Sequence, residues 1–343
     1  MRLRNYFLTR LFHTLITLFI VIVLLFVIFR LMPGDPAKLL IDPRVTPDQR
    51  CLIGIQYDLY EPAPGEDPPC RPIPAYRQFL PYIRNMLVMD FGESFTTHQP
   101  VWKEISERLP YTLLLFGTAQ ILGTLLSVLA GIVMAWRRGS KMEIAGIVAS
   151  LFFFAMPLFW FGLLLLMVFF GWWGLTFGAP LFPVGGFGGY DPDSGEPFPF
   201  PQNAIDVAWH MVLPLVTLML LNLAGGILLM RNAMLEILGE DYIVTARAKG
   251  IGERRVMLHH AARNAMLPVV TSVALSTAGV VSGGILTETV FSWPGMGLYL
   301  VQRTISYDYP AIQGAFYILA LITIISNWAA DVLYAWLDPR IRL

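Results

Sequence analysis

Long apolar stretches separated by polar segments dominate the pattern of this chain. A helix needs about 20 mostly apolar residues to cross a bilayer, and six long stretches contain no Asp, Glu, Lys or Arg. They are Leu11–Phe29, Tyr111–Trp136, Ile144–Phe177, Val207–Met230, Asn264–Thr287 and Tyr309–Ala330. The third is longer than one crossing needs. It ends near the adjacent indoles of Trp172 and Trp173 and is followed by a Gly/Pro-rich segment, so we predict one crossing and then a loop. The pattern predicts an all-α integral membrane protein with six transmembrane helices.

Basic residues at the ends of these stretches predict the orientation, because short cytoplasmic loops carry an excess of Lys and Arg. Of the 24 Lys and Arg residues, fourteen lie in four segments that a six-span topology places on one side, and six of these lie in the loop 231–263. We therefore predict that both termini lie in the cytoplasm. A cleaved signal peptide is the alternative for the first stretch. Its 19 residues exceed the roughly 7–15 of a typical signal core, and no small-x-small site follows them.

Composition agrees with a membrane protein and argues against several other classes. Hydrophobic residues make up 56% of the chain and charged residues 14%, whereas a soluble domain has about 45–50% and about 25%. Lys and Arg balance Asp and Glu at 24 each, which argues against nucleic-acid binding. Two cysteines are too few for a four-cysteine metal site, and we predict no metal ligands.

The topology divides the chain into four regions. Residues 1–32 form the cytoplasmic N-terminus and first span, 33–110 a long extracytoplasmic segment, 111–337 the core with its cytoplasmic loop 231–263, and 338–343 a cytoplasmic tail. Within the outer segment, residues 61–74 form a proline-rich loop that we expect to be irregular, and Tyr76–Met89 has helical apolar spacing. Cys51 and Cys70 bracket the loop. We predict a disulfide between them if the compartment is oxidising, with two unpaired thiols as the alternative.

The loop between the fourth and fifth stretches predicts a two-turn helix. Asp241 is placed as its N-cap, Arg247 and Lys249 lie in its last turn, and Gly250 suits a left-handed C-terminal position. Such a short helix is marginal in water, so we expect another surface to hold it. Glu253–Asn264 is predicted to continue as a second helix that leads into the fifth span.

The side chains of the short helix leave three interpretations open. Tyr242 and Ile243 offer apolar anchors, while Ala246, Ala248 and Gly250 keep one flank small enough for another surface to approach. The helix could dock on a partner, lie on anionic lipid headgroups, or belong to a solvated basic loop.

Residues 239–250 resemble the coupling-loop signature of ABC importer permeases, in the branch that imports dipeptides, oligopeptides and nickel. The candidate residues are Gly239, Glu240, Asp241, Tyr242, Thr245, Ala246, Arg247, Ala248, Lys249 and Gly250. The resemblance continues at Met32–Pro36, Arg263–Pro268, Thr287–Gly295, Asp308–Pro310 and Asp338–Arg340. It is closest to the first, B-type, of two paralogous permease subunits. The chain departs from the general importer pattern at residues 244–246, Val-Thr-Ala instead of Glu-Ala-Ala, and residues 51–74 look like an insertion.

The resemblance implies a type I ABC importer permease fold, a multi-pass location in a prokaryotic cytoplasmic (inner) membrane, and a transport subunit without catalytic residues. It implies half of a heterodimeric pore for peptides, with a second permease subunit, two ATPase subunits and an extracytoplasmic binding protein as partners. ATP and Mg would be bound by the ATPases, and the sequence contains no Gly-x4-Gly-Lys-Ser/Thr phosphate loop. The alternative within the family is an importer of nickel, metal chelates or modified peptides.

Acidic residues at span ends leave a less favoured class, an ion-coupled secondary transporter. That class predicts inverted repeats and carboxylates near the bilayer midplane, whereas Glu288 and Asp331 lie at span ends. Glu288, with Phe291 and Trp293, either lines the outer mouth of a pore or simply contacts water.

Overall fold

The structure is a computed structural model that describes residues 3–30, 46–56, 60–65, 70–190 and 199–337. The predicted motifs Met32–Pro36 and Asp338–Arg340, and the tail 338–343, lie outside these ranges. The helices α1 to α4 and the two strands, in chain order, are α1 Leu3–Arg30, α2 Pro47–Gln56, β1 Tyr60–Pro62, β2 Cys70–Pro72, α3 Ala75–Leu87 and α4 Val101–Trp136. Next come α5 Lys141–Phe154, α6 Leu158–Leu166, the π-helix π1 Met167–Trp172, α7 Trp173–Phe177 and α8 Gln202–Leu238. The remaining elements are α9 Asp241–Ala248, α10 Glu253–Arg255, the π-helix π2 Val256–Ala261, α11 Ala262–Gly283, α12 Ile285–Val290, α13 Met296–Ile305 and α14 Tyr309–Leu337.

Five helical segments among the described residues are long and apolar enough to cross a membrane. They are Phe7–Arg30, Val101–Trp136, Leu158–Phe177, Gln202–Leu220 and Tyr309–Val332. These segments overlap five of the six predicted spans. The other predicted span, Asn264–Thr287, overlaps α11 and α12, but the side chains of 274–283 lie outside the described set.

The third predicted stretch is not one helix. Helix α5 ends at Phe154, and helical structure resumes at Leu158 and continues through α6, π1 and α7 to Phe177. Pro157 explains the break, because proline has no N–H and disfavours a helical conformation at the residue before it. The crossing segment is therefore Leu158–Phe177, and Gly178, with φ +80°, ends it.

The chain groups into two compact units. The N-terminal unit comprises Arg4–Pro110 and Gly295–Ile325, and the core unit is built mainly from Tyr111–Pro294. The predicted boundary between residues 110 and 111 coincides with the boundary of the units. Gly295–Ile325, predicted to lie within the core region 111–337, instead groups with the N-terminal unit.

Within the N-terminal unit, the proline-rich segment is more ordered than its sequence predicts. Strands β1 and β2 pair antiparallel, with Pro62 opposite Cys70, so the expectation of a wholly irregular loop over residues 61–74 is wrong. The Cα atoms of Cys51 and Cys70 are 5.8 Å apart and their sulfur atoms are bonded. The side chains of both cysteines are buried. Helix α3 forms where apolar spacing predicts it.

A buried polar network connects distant parts of the same unit. Asp308, fully buried just before α14, accepts hydrogen bonds from Ser94 Oγ at 2.5 Å and Thr96 Oγ1 at 2.7 Å. Glu104 accepts from Arg303 Nη2 and from the Tyr299 hydroxyl, both at 2.8 Å. Burial and this bond to Glu104 raise the pKa of Tyr299. These bonds give the Asp308–Pro310 motif a structural role, because its carboxylate fixes a distant loop to the start of α14.

Candidate functional site

The predicted two-turn helix is present as α9, eight residues long. Its N-cap is Glu240 and not Asp241, which is the first helical residue, and no side chain caps the N-terminal amides. Asp241 keeps a favourable position, because a carboxylate in the first turn complements the helix dipole. Glycine at position 239 ends α8 immediately before this cap, so a single bend separates the long helix from the short one.

One face of α9 is anchored in its own chain. Ile243 is fully buried and Ala246 is nearly so. They are three residues apart and so lie on one face of the helix. Both belong to a buried cluster whose other members come mainly from α4, α8, π2 and α11; among these are Ile132, Met230, Met234, Val256, Met257 and Ala265. The core unit of the same chain therefore supplies the surface that holds this marginal helix.

The opposite face of α9 has no cover from the described part of the chain. At 100° per residue, Asp241, Val244, Thr245 and Ala248 lie on the side away from Ile243, and all four are exposed. Val244 is 57% exposed, although it is a large apolar residue. This pattern of burial corrects the expectation that Ala246 and Ala248 keep one flank of the helix small. The two residues do not share a flank, because Ala246 is buried and Ala248 is exposed.

Tyr242 is not the apolar anchor that the sequence predicts. Its ring is 41% exposed, and its hydroxyl accepts a hydrogen bond from Asn264 Nδ2 at 2.7 Å. On the other flank, Arg247 Nε lies 2.8 Å from Glu253 Oε1. This pair is exposed, and such pairs contribute about 0–1 kcal/mol. Tyr242 therefore links α9 to α11, and Arg247 links it to α10.

Gly250 ends the helix in the conformation that its sequence position predicts. Its φ is +76°, a left-handed value that costs a side-chain-bearing residue roughly 1–2 kcal/mol. The turn brings Ile251 N–H to Ala246 O at 3.3 Å and Gly250 N–H to Arg247 O at 2.9 Å. Lys249 is the C-cap and is exposed. The reversal of the chain therefore favours glycine at this position.

An ion pair ties the first turn of α5 to α8. Glu143 is buried, and its Oε1 accepts from Arg231 Nε at 2.8 Å, while its Oε2 accepts from Gly139 N–H at 2.5 Å. The Gly139 amide and the Arg231 guanidinium hold the pKa of the Glu143 carboxyl below its ordinary value. The sequence analysis missed this pair, because nothing local relates two residues so far apart in the chain.

The residues predicted at an outer mouth are buried inside the core unit. Glu288 is 1% exposed and accepts a hydrogen bond from Thr112 Oγ1 at 2.7 Å. Phe291 and Trp293 are also buried, and the indole Nε1 donates to Tyr111 O at 3.0 Å. None of the three predicted residues lines an open mouth of this chain, which corrects that interpretation.

The turn that contains these residues is closed by the loop after the third span. The Phe187 ring lies 5.2 Å from Trp293 and 4.4 Å from Tyr111, centroid to centroid. A Cβ atom at Gly185 would lie 2.1 Å from Phe291 O, so only glycine permits this approach. The sequence analysis missed both loop residues. The sequence signal that could have identified them is the pair of glycines on each side of Phe187.

The sequence of the chain matches two families of membrane transport components. Residues 127–343 match the family described as binding-protein-dependent transport system inner membrane component. The chain belongs to this family. Residues 3–116 match the N-terminal component of the same transport systems. The protein is thus a multi-pass inner-membrane component of a binding-protein-dependent transport system. Helix α9 lies within residues 127–343, which match the first of the two families.

Individual members of the family are similar over nearly the whole chain. The di/tripeptide transport system permease protein DppB of Pseudomonas aeruginosa is 35% identical over 95% of each chain. The dipeptide transport system permease protein DppB of Escherichia coli K12 is 36% identical over 98% of each. The oligopeptide transport system permease protein AppB of Bacillus subtilis is 36% identical over 93% of each. The chain is therefore similar in length, as well as in sequence, to permease subunits.

Proposed function

We propose that this chain is one permease subunit of an ATP-driven importer of dipeptides or oligopeptides. The family supports the transport role, and the names of the similar permeases support peptides as the substrate. In this proposal the chain forms half of a heterodimeric pore with a paralogous permease. An extracytoplasmic binding protein delivers the peptide, and two separate ATPase subunits bind ATP and Mg. The chain itself carries no catalytic step.

The exposed face of α9 is the observation that carries the coupling role. Ile243 fixes the helix to the rest of the core unit. A force applied to the opposite face of the helix would therefore pass into α8 and π2 through the buried cluster. Asp241, Val244, Thr245 and Ala248 present a small, mixed surface suited to a groove on an ATPase subunit. We infer that ATP-driven movement of the ATPases acts on the pore through this face. The excess of basic residues in the same loop supports its cytoplasmic placement.

Co-purification tests the assembly. The chain would be expressed with its neighbouring genes, extracted in mild detergent, and assayed for ATPase activity with and without the binding protein and dipeptide. The proposal expects a second permease and ATPase subunits in the complex, with activity that rises when binding protein and peptide are both present. Isolation of the chain with neither subunit would refute it. Stimulation by a nickel chelate, with none by peptides, would refute the peptide substrate alone.

A bulky residue on the exposed face tests the coupling role. Ala248→Trp should abolish peptide-stimulated ATPase activity and uptake, because the indole would occupy the space that the partner needs. Ala145→Trp is the matched control, since Ala145 is an exposed alanine of α5 away from α9. Arg247→Glu and bulky changes at Gly250 are less informative, because they also disturb the Glu253 ion pair and the left-handed turn. Normal coupled transport by inserted Ala248→Trp protein would refute docking at this face.

A further inference from the structure

An apolar groove opens on the core unit between α4, α5 and α8. Its volume is about 590 Å³, and its lining is almost entirely apolar. Met134 of α4, Ile227 of α8 and Phe153 of α5 contribute large side chains. Gly146 and Ala149 of α5 also line it, and Gly146 lets the side chain of Met134 pack against α5, since a Cβ atom at that position would lie 2.8 Å from the Met134 sulfur. A groove of this shape suits a slender apolar ligand.

The length of the groove matches one leaflet of a bilayer. It extends along α5 from Met142 to Phe153, and the eleven helical rises between these two residues correspond to about 16 Å. The hydrocarbon core of a bilayer is about 30 Å thick, so one leaflet occupies about half of that. The groove is therefore about as long as one leaflet of the hydrocarbon core is thick. An extended acyl chain would cover that distance.

The polar end of the groove carries three exposed cationic residues. Arg137 Nη1 lies 3.7 Å from the sulfur of Met142, which itself lines the groove. Arg138, in the loop before α5, and Lys141, the first residue of α5, are also exposed. The acidic residue in the first turn of α5, Glu143, is already neutralised by Arg231. The end of the groove is therefore positively charged.

We propose that this groove binds an anionic phospholipid, with one acyl chain between α4, α5 and α8 and the phosphate beside Arg137, Arg138 and Lys141. The charge at the end of the groove favours a lipid over a helix of another protein, because an apolar helix would cover the groove without needing a cluster of cations. The site is independent of peptide transport. The proposed orientation puts the lipid in the cytoplasmic leaflet, and only this placement depends on that orientation.

Lipid retention by the full-length protein tests the site. The purified chain would be incorporated into nanodiscs that contain phosphatidylcholine and phosphatidylglycerol, and bound lipids would be counted by native mass spectrometry. The wild type should retain one phosphatidylglycerol in preference to phosphatidylcholine. Replacing Arg137, Arg138 and Lys141 together with Gln should weaken retention about a hundredfold, since each basic residue contributes about fivefold near an anionic headgroup. The matched control replaces Arg254, Arg255 and Arg263 with Gln and should leave retention within about threefold.

A second pair of variants tests the apolar part of the site without changing charge. Ala149→Phe fills the groove and should also remove the retained lipid, whereas Val148→Phe, on an exposed position of α5 outside the lining, should not. Photo-cross-linking from position 149 in native membranes should label a lipid. Equal retention of both lipids, equal loss in the two triple variants, or a protein adduct from position 149 would overturn the proposal.

Discussion

The anchoring of α9 by Ile243 makes a quantitative prediction. Ile243→Ala removes part of a side chain that is fully buried. Truncations of this kind cost about 2–5 kcal/mol in protein cores. An eight-residue helix has little stability of its own, so we expect the loss to appear as local detachment of α9 rather than as unfolding of the spans. Because about 1.4 kcal/mol corresponds to a factor of ten, detachment should become at least about 30 times more frequent.

Amide hydrogen exchange of the purified full-length chain measures this detachment directly. The amides of Lys249, Gly250 and Ile251 donate to carbonyls of α9, so their exchange reports whether the helix and its C-terminal turn are closed. They should exchange at least about 30 times faster in Ile243→Ala than in the wild type. Ile243→Val, which costs about 0.5–1.5 kcal/mol, should give about a twofold to twelvefold increase.

Val244→Ala is the matched control for this series. Val244 is the next residue in the same helix but lies on the exposed face, where substitutions change stability by about 0.5 kcal/mol or less. Its effect on exchange should stay below about threefold. If Ile243→Ala changes exchange no more than Val244→Ala does, the buried cluster does not hold α9, and the route for force transmission proposed above is wrong.

Three other perturbations follow from the structure. Gly250→Ala should speed exchange in the turn after α9 by about fivefold to thirtyfold, because alanine bears a penalty of about 1–2 kcal/mol at φ +76°; exchange equal to the wild type would contradict the need for glycine. Glu143→Gln should lower the melting temperature at pH 7. Its deficit relative to the wild type should shrink as the pH falls below about 4.5, because the depressed carboxylate pKa stabilises the folded state only while Glu143 is ionised; a deficit independent of pH would exclude an ionic contribution. Reduction should raise the mass of protein isolated from its native compartment by two hydrogen atoms, and an unchanged mass would show that Cys51 and Cys70 are unpaired there.

The loop 231–263 shows how far local sequence signals reach. The short helix, its approximate ends and the left-handed Gly250 could all be predicted, because capping, helix propensity and positive φ depend on nearby residues. The N-cap was misplaced by one residue, since Glu240 and Asp241 are both acidic and neither makes a side-chain cap bond. The exposed position of Tyr242 could not be predicted, because its hydroxyl bonds to Asn264, a residue that only the fold brings close.

The sequence by itself determined the class of this protein, because the length and hydropathy of a membrane span are local properties and the family motifs lie in the chain in order. Tertiary structure decided which side of each motif faces inward. Glu288, Phe291 and Trp293 read as candidates for a pore mouth, yet they are buried because Thr112, Phe187 and the main chain of Tyr111 come from elsewhere in the core unit. In the same way, Ile243 faces inward because α8 and π2 supply apolar partners. Burial depends on these distant neighbours, and the spacing of residues within one segment does not encode them.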